Sequence, residues 1–534
     1  MAGAPSIAQN TTSAIAGQIT DASGQPASGA TVTIVHAESG SVSNVVTDAQ
    51  GRYTARGLRP GGPYTITITK NGLTEKRNDV FINLAESASV DAQLGAPAVT
   101  TVTITGQAGG NSRFNSANMG AGTSISRTEL AALSSIQRNL QDYARIDPRV
   151  AQTDKDRGEI SVAGQNSRYN TITVDGVGIT DTFGLAANGL PTAKQPISID
   201  AIQSVQVNVS NYDVTQKGYT GANINAVTKS GTNNIHGSVY YVYRDDRFAG
   251  DRYNRTNDSY FAPPVFKETT KGVTVGGPII KDKLFFFASF EDFVSTRDTP
   301  QFGPIGSALT PVGITQAAVA QANSIAAARY PGLLVGSLDA TTAADLKIKD
   351  KLFKLDWNIN DNHRANVRYS ETKQRDPQFG TQNERTLTLS SQWYTTVNPV
   401  ESIVAQVFSD WTENFSTEAK ISRRKFGSVP ENNAVSPSVT LAFTGALPSD
   451  AGPAVATGTR NLNFGTEFSR HRNILRTDTV DAYLAGNWIR GDHEIKFGVD
   501  YAANEVYNAF LQGINGSYTF GCIDPIAGQL TYAF

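Results

Sequence analysis

The sequence predicts a mainly β protein made of an N-terminal β-sandwich, an α+β domain and a partial, unclosed antiparallel transmembrane β-barrel. Two observations support this fold class. Short stretches of alternating apolar and polar residues recur along most of the 534 residues, and this period of two is typical of half-buried strands. Thr, Ser, Asn and Gly are abundant, while Met occurs only 2 times, a composition that favours strands and turns over helices.

The composition also restricts the class of protein. Charged residues make up 18% of the chain and the formal net charge is −2, so nothing indicates a nucleic-acid partner. No run of about 18 or more apolar residues encodes a transmembrane helix. The chain is then either a soluble all-β protein or a barrel, since only closed barrels span lipid without helices. The single cysteine, Cys522, is either a buried thiol or one half of a pair.

The N-terminal part contains a short leading segment and a predicted domain. Residues 1–13 are expected to be a signal-peptide remnant or an unstructured tail, and Ser6-Ile7-Ala8 fits the small-x-small pattern that precedes signal-peptidase cleavage. Residues 14–95 contain alternating runs such as Thr31–Val35, separated by turn residues, and predict a small β-sandwich. His36 is expected on the surface of a strand, with metal binding as the alternative.

Residues 96–123 are predicted to be a linker rich in Gly, Asn and Ser. An isolated β-prone stretch lies within it: Val99, Thr100, Thr101, Val102, Thr103, Ile104 and Thr105. A lone strand flanked by flexible chain can add to the sheet edge of a partner. The alternative is that this stretch pairs with the preceding sandwich.

Residues 124–233 are predicted to form a compact α+β domain. Ser126 and Glu129 have the spacing of a capping box at a helix start. An apolar stripe at helical spacing follows and predicts one helix that ends at Asp147-Pro148; its members are Leu130, Leu133, Ile136 and Leu140. The strands predicted after this helix are 159–162, 171–174 and 204–209.

Residues 234–534 predict about ten strands with one apolar, aromatic-rich face and one charged face. Phe353, Leu355 and Trp357, for example, alternate with Lys354 and Asp356. Alternation alone does not distinguish a soluble sandwich from a barrel. Loops of about fifty residues near 295–346 and 424–476 favour a barrel, because outer-membrane barrels combine long loops on one side with short turns on the other. An Ala-rich stretch at 315–320 predicts a helix in the first of these loops.

Several ordered motifs resemble a known family. The segments GQITDASGQPASGATVTI and TDAQGRYTARGLRPGGPYTITITKNG resemble the carboxypeptidase regulatory-like domain, a non-catalytic module. ITVDGVGI (172–179), IDAIQSVQVNVS (199–210) and GYTGANINAVTKSGTNNIHGSVYYVYR (218–244) resemble the plug of TonB-dependent receptors running into the first barrel strand. GGPIIKDKLFFFASFEDF (276–293) resembles an early barrel hairpin of the Oar-like branch.

This resemblance implies an outer-membrane receptor of a Gram-negative bacterium that takes up an unidentified extracellular substrate through a plugged barrel in outer-membrane lipid. It makes residues 99–105 the candidate TonB box, which a TonB-type periplasmic energy transducer captures. No cofactor and no metal are implied. The positions that match the plug motif are Asp175, Gly176, Gly221, Asn223, Ile224, Asn225, Thr228 and Lys229. A surface adhesin or scaffold and an outer-membrane export channel remain as alternatives.

The chain departs from the family pattern in ways that affect the transfer of ligand knowledge. Gln203 and Gln206 replace an acidic residue of many receptors, Gly221-Ala222 replaces a Gly-Gly pair, and no Arg-Gly-Pro turn is found. Residues 234–534 are expected to hold about half of the roughly 22 strands of a family barrel, so we expect a C-terminally truncated, unclosed sheet. Residues 521–525 are interpreted as a loop.

No enzyme signature is present. There is no His-Glu-x-x-His sequence and no Gly-rich phosphate loop after a strand. Lys229-Ser230-Gly231 resembles one motif of penicillin-recognising enzymes, but the Ser-x-x-Lys sequences lie downstream, in the wrong order. We interpret it as a turn between the plug and the barrel. The sequence therefore predicts a protein that is not an enzyme.

Overall fold

The computed structural model describes most of the chain. The described residues are 11–95, 114–115, 118–154, 158–184, 186–211, 213–215, 218–263, 265–296, 301–338, 345–449, 451–452, 455–491, 493–523 and 531–533. The candidate TonB box, residues 99–105, lies outside them. No helix among the described residues is long and apolar enough to cross a membrane.

The N-terminal unit, here called the sandwich, packs two four-stranded sheets against each other. One sheet has the order β4-β1-β7 with β8 beside β1, and the other has the order β3-β2-β5-β6. The strands are β1 Ser13–Thr20, β2 Thr31–His36, β3 Val42–Val46, β4 Arg52–Leu58, β5 Gly61–Lys70, β6 Leu73–Ile82, β7 Ser87–Ser89 and β8 Ala92–Gln93. Alternate residues such as Ile34 and Ile66 are fully buried between the sheets.

His36 was expected on a strand surface, and this expectation is wrong. Its side chain is 6% exposed, because it ends β2 beneath the ring of Tyr64, with ring centroids 4.8 Å apart. Its Nδ1 lies 2.8 Å from the hydroxyl of Ser39. Among the described residues no group of three or more His, Cys, Asp or Glu side chains could hold a metal ion.

The central domain, residues 114–228, is built on a six-stranded sheet of order β14-β13-β16-β15-β10-β9, with a separate β11-β12 hairpin. Its strands are β9 Phe114–Asn115, β10 Asn118–Ile125, β11 Val150–Asp154, β12 Glu159–Val162, β13 Thr171–Val174, β14 Val177–Gly178, β15 Ile202–Asn211 and β16 Asn223–Thr228. The sheet therefore begins before residue 124, within the segment expected to be linker.

The helical part of the central domain differs from the prediction. The capping box at Ser126 and Glu129 is present, but the expected single helix is two short helices, α1 Arg127–Ala132 and α2 Leu140–Ala144. Ile136, between them, is 76% exposed. The apolar stripe was thus wrong as evidence for one helix: Leu140 is buried in the core and Leu130 packs against its edge, but Leu133 and Ile136 are exposed.

The largest unit is a nine-stranded antiparallel sheet, here called the wall, in which each strand pairs with the next along the chain. Its strands are β17 His236–Asp245, β20 Lys267–Ile280, β21 Leu284–Thr296, β24 Asp345–Asn360, β25 His363–Gln378, β27 Tyr394–Thr412, β28 Phe415–Asn432, β31 Arg472–Arg490 and β32 His493–Leu511. Within the described residues β17 and β32 do not pair with each other, so the predicted unclosed antiparallel sheet is confirmed.

The two faces of the wall are the predicted apolar and polar faces. Phe353 and Trp357 are 45% and 49% exposed, while Lys354 and Asp356, on the opposite face, are 5% and 4% exposed. The apolar residues therefore point outward. The polar residues point inward, toward the central domain.

The long connections fold together into a loop module. Its strands are β22 Phe302–Ile305, β23 Thr310–Thr315, β26 Thr386–Thr388, β29 Ser438–Phe443, β30 Arg460–Gly465, β33 Ser517–Ile523 and β34 Thr531–Ala533, with helix α3 Gln316–Arg329. The helix and the strands β22, β23, β26, β29, β30 and β33 share one apolar core. A separate hairpin, β18 Arg252–Asn254 and β19 Ser259–Phe261, follows β17. Short 3-10 helices lie at Ser167–Tyr169, Ile199–Ala201, Asp246–Phe248, Ser390–Gln392 and Phe468–Arg470.

Two loop expectations need correction here. The second long loop was expected at 424–476, but β28 continues to Asn432 and β31 starts at Arg472. Residues 521–523 were interpreted as loop but belong to β33, which pairs in parallel with β29. The second error arose because β33 pairs with a strand far away in sequence, which local composition does not indicate.

Candidate functional site

The wall has two different ends. At one end, strands are joined by turns of two or three residues, as between Asn360 and His363. At the other end lie the loop module and the hairpin. The chain leaves the central domain at Thr228 and enters the wall at His236, which pairs with Gly276 near the short-turn end. The central domain lies on the inward face between these two ends.

A buried ion pair joins the central domain to the wall. Asp175 accepts hydrogen bonds at 2.8 Å from Arg368 of β25 and from the backbone N–H and hydroxyl of Thr228. Arg368 also donates to the carbonyl of Val174 at 3.1 Å. The side chains of Asp175 and Arg368 are 4% and 1% exposed. Removal of either charge would leave the other one buried without its partner.

The turn that carries Asp175 places its carboxylate. Asp175 and Gly176 form a two-residue hairpin between β13 and β14, with φ values of +49° and +70°. Both values lie in the left-handed region, as this class of turn requires. Burial would raise the pKa of Asp175, but the charges of Lys354 and Arg368 and the bonds from Thr228 hold it below its usual value.

Further cations of the wall hold main-chain carbonyls of the central domain. Lys354 donates to the carbonyl of Thr228 at 3.4 Å and to its hydroxyl at 3.1 Å. Lys420 of β28 donates to the carbonyl of Gly176 at 2.8 Å. Arg424, four residues further along the same strand, donates at 2.8 Å to the carbonyl of Thr180. The contact consists mainly of charge-assisted hydrogen bonds, which can be exchanged for water.

A second polar cluster lies near the first wall strands. Glu291 of β21 accepts hydrogen bonds from the hydroxyls of Ser198, at 2.8 Å, and Tyr240, at 2.6 Å. Arg138 of the central domain lies 3.7 Å from the same carboxylate and is also paired with Asp200. This cluster links the central domain to β17 and β21.

The structure does not bring all the predicted plug-motif residues together. Asp175, Gly176, Thr228 and Lys229 lie at the wall contact. Gly221 lies at the other end of β16, where an added Cβ would be 2.4 Å from Oδ1 of Asn170. The remaining three are buried inside β16; they are Asn223, Ile224 and Asn225, and Asn225 accepts a bond from Thr173 at 3.0 Å.

Lys229 faces a cavity where all three units meet. The cavity has a volume of about 330 Å³ and is lined by His36 and Arg59 of the sandwich, Lys229 beyond the central domain, and Lys354 and Arg364 of the wall, among others. Burial lowers the pKa of Lys229. Residues 229–231, which were expected to form a turn, lie in the connection between β16 and β17.

The sandwich contacts the wall near its short turns. Arg56 is paired with Glu494 at 2.5 Å and Arg59 lies 3.9 Å from Asp356. Arg364 donates to the carbonyl of Gly57. The sandwich therefore lies on the short-turn side of the central domain and the loop module lies on the other side.

Sequence reasoning did not single out the residues of the wall that bind the central domain. Arg368, Lys354, Lys420 and Glu291 were missed as site residues. A signal was available, because charged residues that alternate with apolar ones in a barrel strand must point into the lumen. Only the structure tells which of them meet a partner.

The comparisons with known proteins agree with this geometry. The model of the outer membrane β-barrel domain matches residues 227–332 and 306–529. The chain belongs to this outer membrane β-barrel family. The model of the carboxypeptidase regulatory-like domain matches residues 14–95. In this β-barrel family, the outward apolar face of the wall meets lipid and the inward polar face lines the lumen.

Two relatives extend the comparison. The TonB-dependent transporter Oar of Myxococcus xanthus is 31% identical over 300 residues, which are 54% of this chain and 27% of Oar. The chain thus spans about a quarter of the length of that curated relative. The outer membrane transporter YddB of Escherichia coli has the same fold, with a TM-score of 0.52, 13% identity, and coverage of 77% of this chain and 51% of YddB.

These findings place the chain in the outer membrane of a Gram-negative bacterium. It is a homologue of the TonB-dependent transporter Oar, and both proteins compared above are transporters and not enzymes. The short turns of the wall then lie on the periplasmic side, and the loop module lies on the outer side.

Proposed function

We propose that this chain is the plug-bearing part of an energy-coupled outer-membrane transporter that takes up an extracellular substrate. In this proposal the central domain blocks the lumen, and its displacement opens a path along the inward face of the wall. The substrate remains unidentified. The observation that carries the proposal is the buried Asp175–Arg368 pair at 2.8 Å, which fixes the central domain inside the lumen through a polar contact.

The chemistry of this contact supports a movable plug. Lys354, Lys420 and Arg424 hold main-chain carbonyls, and water can replace each of these partners when the domain shifts. A permanent scaffold would be held more firmly by a continuous apolar interface. Apolar residues of the wall do enter the core of the central domain, but among those described only Phe287 and Leu352 do so.

Energy input is proposed to come from a TonB-type periplasmic transducer that captures Val99–Thr105 by strand addition. The segment lies between Gly95, the end of the sandwich match, and Phe114, where the central domain begins. The sandwich, which precedes this segment in the chain, contacts the periplasmic end of the wall, and this is the side from which such a transducer would pull.

Cross-linking in living cells tests this proposal. A photo-reactive residue placed at Thr103 is expected to form an adduct with the transducer, whereas the same residue at Asn71, in an exposed turn of the sandwich, is expected to form none. Equal labelling at both positions, or none at Thr103, contradicts capture of this segment.

A second measurement tests the plug without knowledge of the substrate. Deletion of residues 114–228 is expected to make cells sensitive to a large antibiotic that the outer membrane normally excludes, because an unplugged wide barrel leaves an open lumen. Replacement of residues 99–105 by a Gly/Ser segment of equal length should keep the membrane sealed and abolish uptake-dependent growth. An adhesin or scaffold would tolerate that replacement.

A further inference from the structure

The cavity where the sandwich, the central domain and the wall meet, here called the junction cavity, has an excess of positive charge. Its volume is about 330 Å³, far more than the roughly 30 Å³ that one water molecule occupies in the liquid. Among the described residues, five cations and three carboxylates line it. The cations are Arg59, Arg127, Lys229, Lys354 and Arg364, and the carboxylates are Glu38, Asp175 and Asp356.

The carboxylates of the junction cavity compensate this charge only in part. Asp175 is bound to Arg368 at 2.8 Å, and Arg368 is not among the lining residues in the described part of the chain. Asp356 lies 3.9 Å from Arg59 and 4.0 Å from Lys354, which is a long separation for an ion pair. The cations of the cavity therefore keep much of their charge uncompensated.

Two of the five cations have no carboxylate as a partner. Lys229 and Arg364 form no ion pair within the residues that the structure describes, and neither does the lining carboxylate Glu38. The guanidinium of Arg364 donates to the carbonyl of Gly57, and no second acceptor for it is found among the described residues. For Nζ of Lys229 no acceptor is found in this part of the chain either. Both side chains therefore have donor groups available for an anion.

Two pKa shifts agree with a positive electrostatic potential in the cavity. Burial and then the charge of a neighbouring arginine lower the pKa of Lys229, while Asp200 acts in the opposite direction. Burial and then the charges of Arg59 and Arg364 lower the pKa of His36 to about 3. In both groups the neighbouring cations disfavour a further positive charge. A bound anion would relieve this repulsion.

The donor groups of the cavity select the class of anion. An arginine presents a planar fork of N–H groups that matches the oxygens of a carboxylate or a phosphate, and a lysine adds a point charge. The hydroxyl-bearing residue Ser230, next to Lys229, also lines the cavity. Because the cations come from several sides, an anion with several charged oxygens interacts with more of them than chloride does.

We propose that the junction cavity binds a small multivalent oxyanion, either a phosphate or a polycarboxylate. Lys229, Arg364 and Arg59 contact this anion. Arg59 belongs to the sandwich, Arg364 to the wall and Lys229 to the connection that leaves the central domain, so the bound anion joins the three units. The site lies on the short-turn side of the central domain, and it does not depend on the proposed transport.

Hydrogen exchange of the purified full chain in zwitterionic detergent measures the binding. Citrate or inorganic phosphate is titrated at constant ionic strength, and protection is followed at residues 57–62 and 229–232, which contribute to the lining. Three charge-assisted hydrogen bonds at about tenfold each correspond to a midpoint of about 1 mM. Lys229→Gln should shift the midpoint to about 10 mM. Lys229→Arg keeps the charge and should keep the midpoint within about threefold.

The matched control is Lys283→Gln, in an exposed short turn of the wall, and its midpoint should not change. A lower midpoint for citrate identifies a polycarboxylate as the ligand, and a lower midpoint for phosphate identifies a phosphate group. The proposal is overturned if neither anion protects the two segments more than sodium chloride of equal ionic strength does, or if the two glutamine variants shift the midpoint equally. The comparison with sodium chloride uses the unchanged protein, so it remains decisive if a variant fails to fold.

Discussion

Asp175 and Arg368 are 193 positions apart in the sequence and form a 2.8 Å ion pair in which both side chains are almost completely buried. One belongs to a turn of the central domain and the other to the fifth strand of the wall. The pair thus connects the central domain with the wall.

Removal of one partner of this pair is expected to loosen the central domain. Arg368→Met leaves Asp175 buried without its partner, and loss of one member of a buried pair costs about 3–5 kcal/mol. The double variant Arg368→Met/Asp175→Asn should cost less than Arg368→Met alone, because no uncompensated charge remains. The change is measured by denaturant-dependent proteolysis of the central domain.

The control for this prediction is an exposed ion pair on the same wall. Arg423 and Asp478 are paired at 2.6 Å, and their side chains are 53% and 27% exposed. Arg423→Gln should change the stability by no more than about 1 kcal/mol. If both arginine variants had the same small effect, the Asp175–Arg368 pair would not hold the central domain.

Gly221 is predicted to tolerate no side chain. An added Cβ would lie 2.4 Å from Oδ1 of Asn170 and 3.3 Å from the backbone of Tyr169. Gly221→Ala should therefore destabilise the central domain by about 1–3 kcal/mol, the usual cost of overpacking. Hydrogen exchange in β13 and β16 measures the effect. The matched variant is Gly250→Ala, where no atom lies within 4 Å of the added Cβ, and its exchange should be unchanged.

Much of the fold could be predicted because the wall strands are long and strictly alternating. The residues from Phe353 to Trp357 show their two faces in the sequence itself, and the structure has the same two faces. The pairing of Asp175 with Arg368 could not be predicted, since alternation places an arginine in the lumen but does not tell which carboxylate it meets. His36 was misplaced because its burial depends on Tyr64, which lies on a neighbouring strand.

The loop module shows the same limit. Composition indicated long irregular connections, but strands from separate connections pair with one another, as β26 does with β30 and β29 with β33. Val312, Leu387 and Leu462 come from three different connections and are all fully buried in its core. These pairings join distant segments, so local pattern reasoning could not find them.

Arg460 is predicted to stabilise the loop module. Its side chain is 3% exposed and donates to the carbonyls of Gly313, Gly445 and Gly458 at 3.2, 2.9 and 2.8 Å. Because a hydrogen bond to a charged group contributes about 1.5–3 kcal/mol, Arg460→Met should open the module locally. Faster hydrogen exchange in α3 and β30, with the wall unchanged, is the expected result.

Two further variants make the Arg460 prediction specific. Arg460→Lys keeps the charge but lacks the planar fork that reaches several carbonyls at once, so it should restore only part of the protection. Arg329→Met, at the exposed end of α3, should have an effect below about 1 kcal/mol. A wild-type exchange pattern in Arg460→Met would show that the carbonyls do not depend on this side chain.

His36 is predicted to make the sandwich sensitive to acid. Burial, together with the nearby charges of Arg59 and Arg364, lowers the pKa of His36 to about 3, compared with about 6.5 in an unfolded chain. Between these two values the unfolded state binds a proton that the folded state does not bind, so stability falls as the pH decreases below 6.5. From pH 7.5 to pH 5 the sandwich should lose about 2 kcal/mol of unfolding free energy. Hydrogen exchange in β2 and β5, corrected for the intrinsic pH dependence, measures this loss.

Two variants identify the group that causes the acid sensitivity. In His36→Asn the dependence of stability on pH should disappear, while His236→Asn, at the exposed start of the wall, should retain it. An unchanged pH dependence in His36→Asn would mean that another group causes the acid sensitivity.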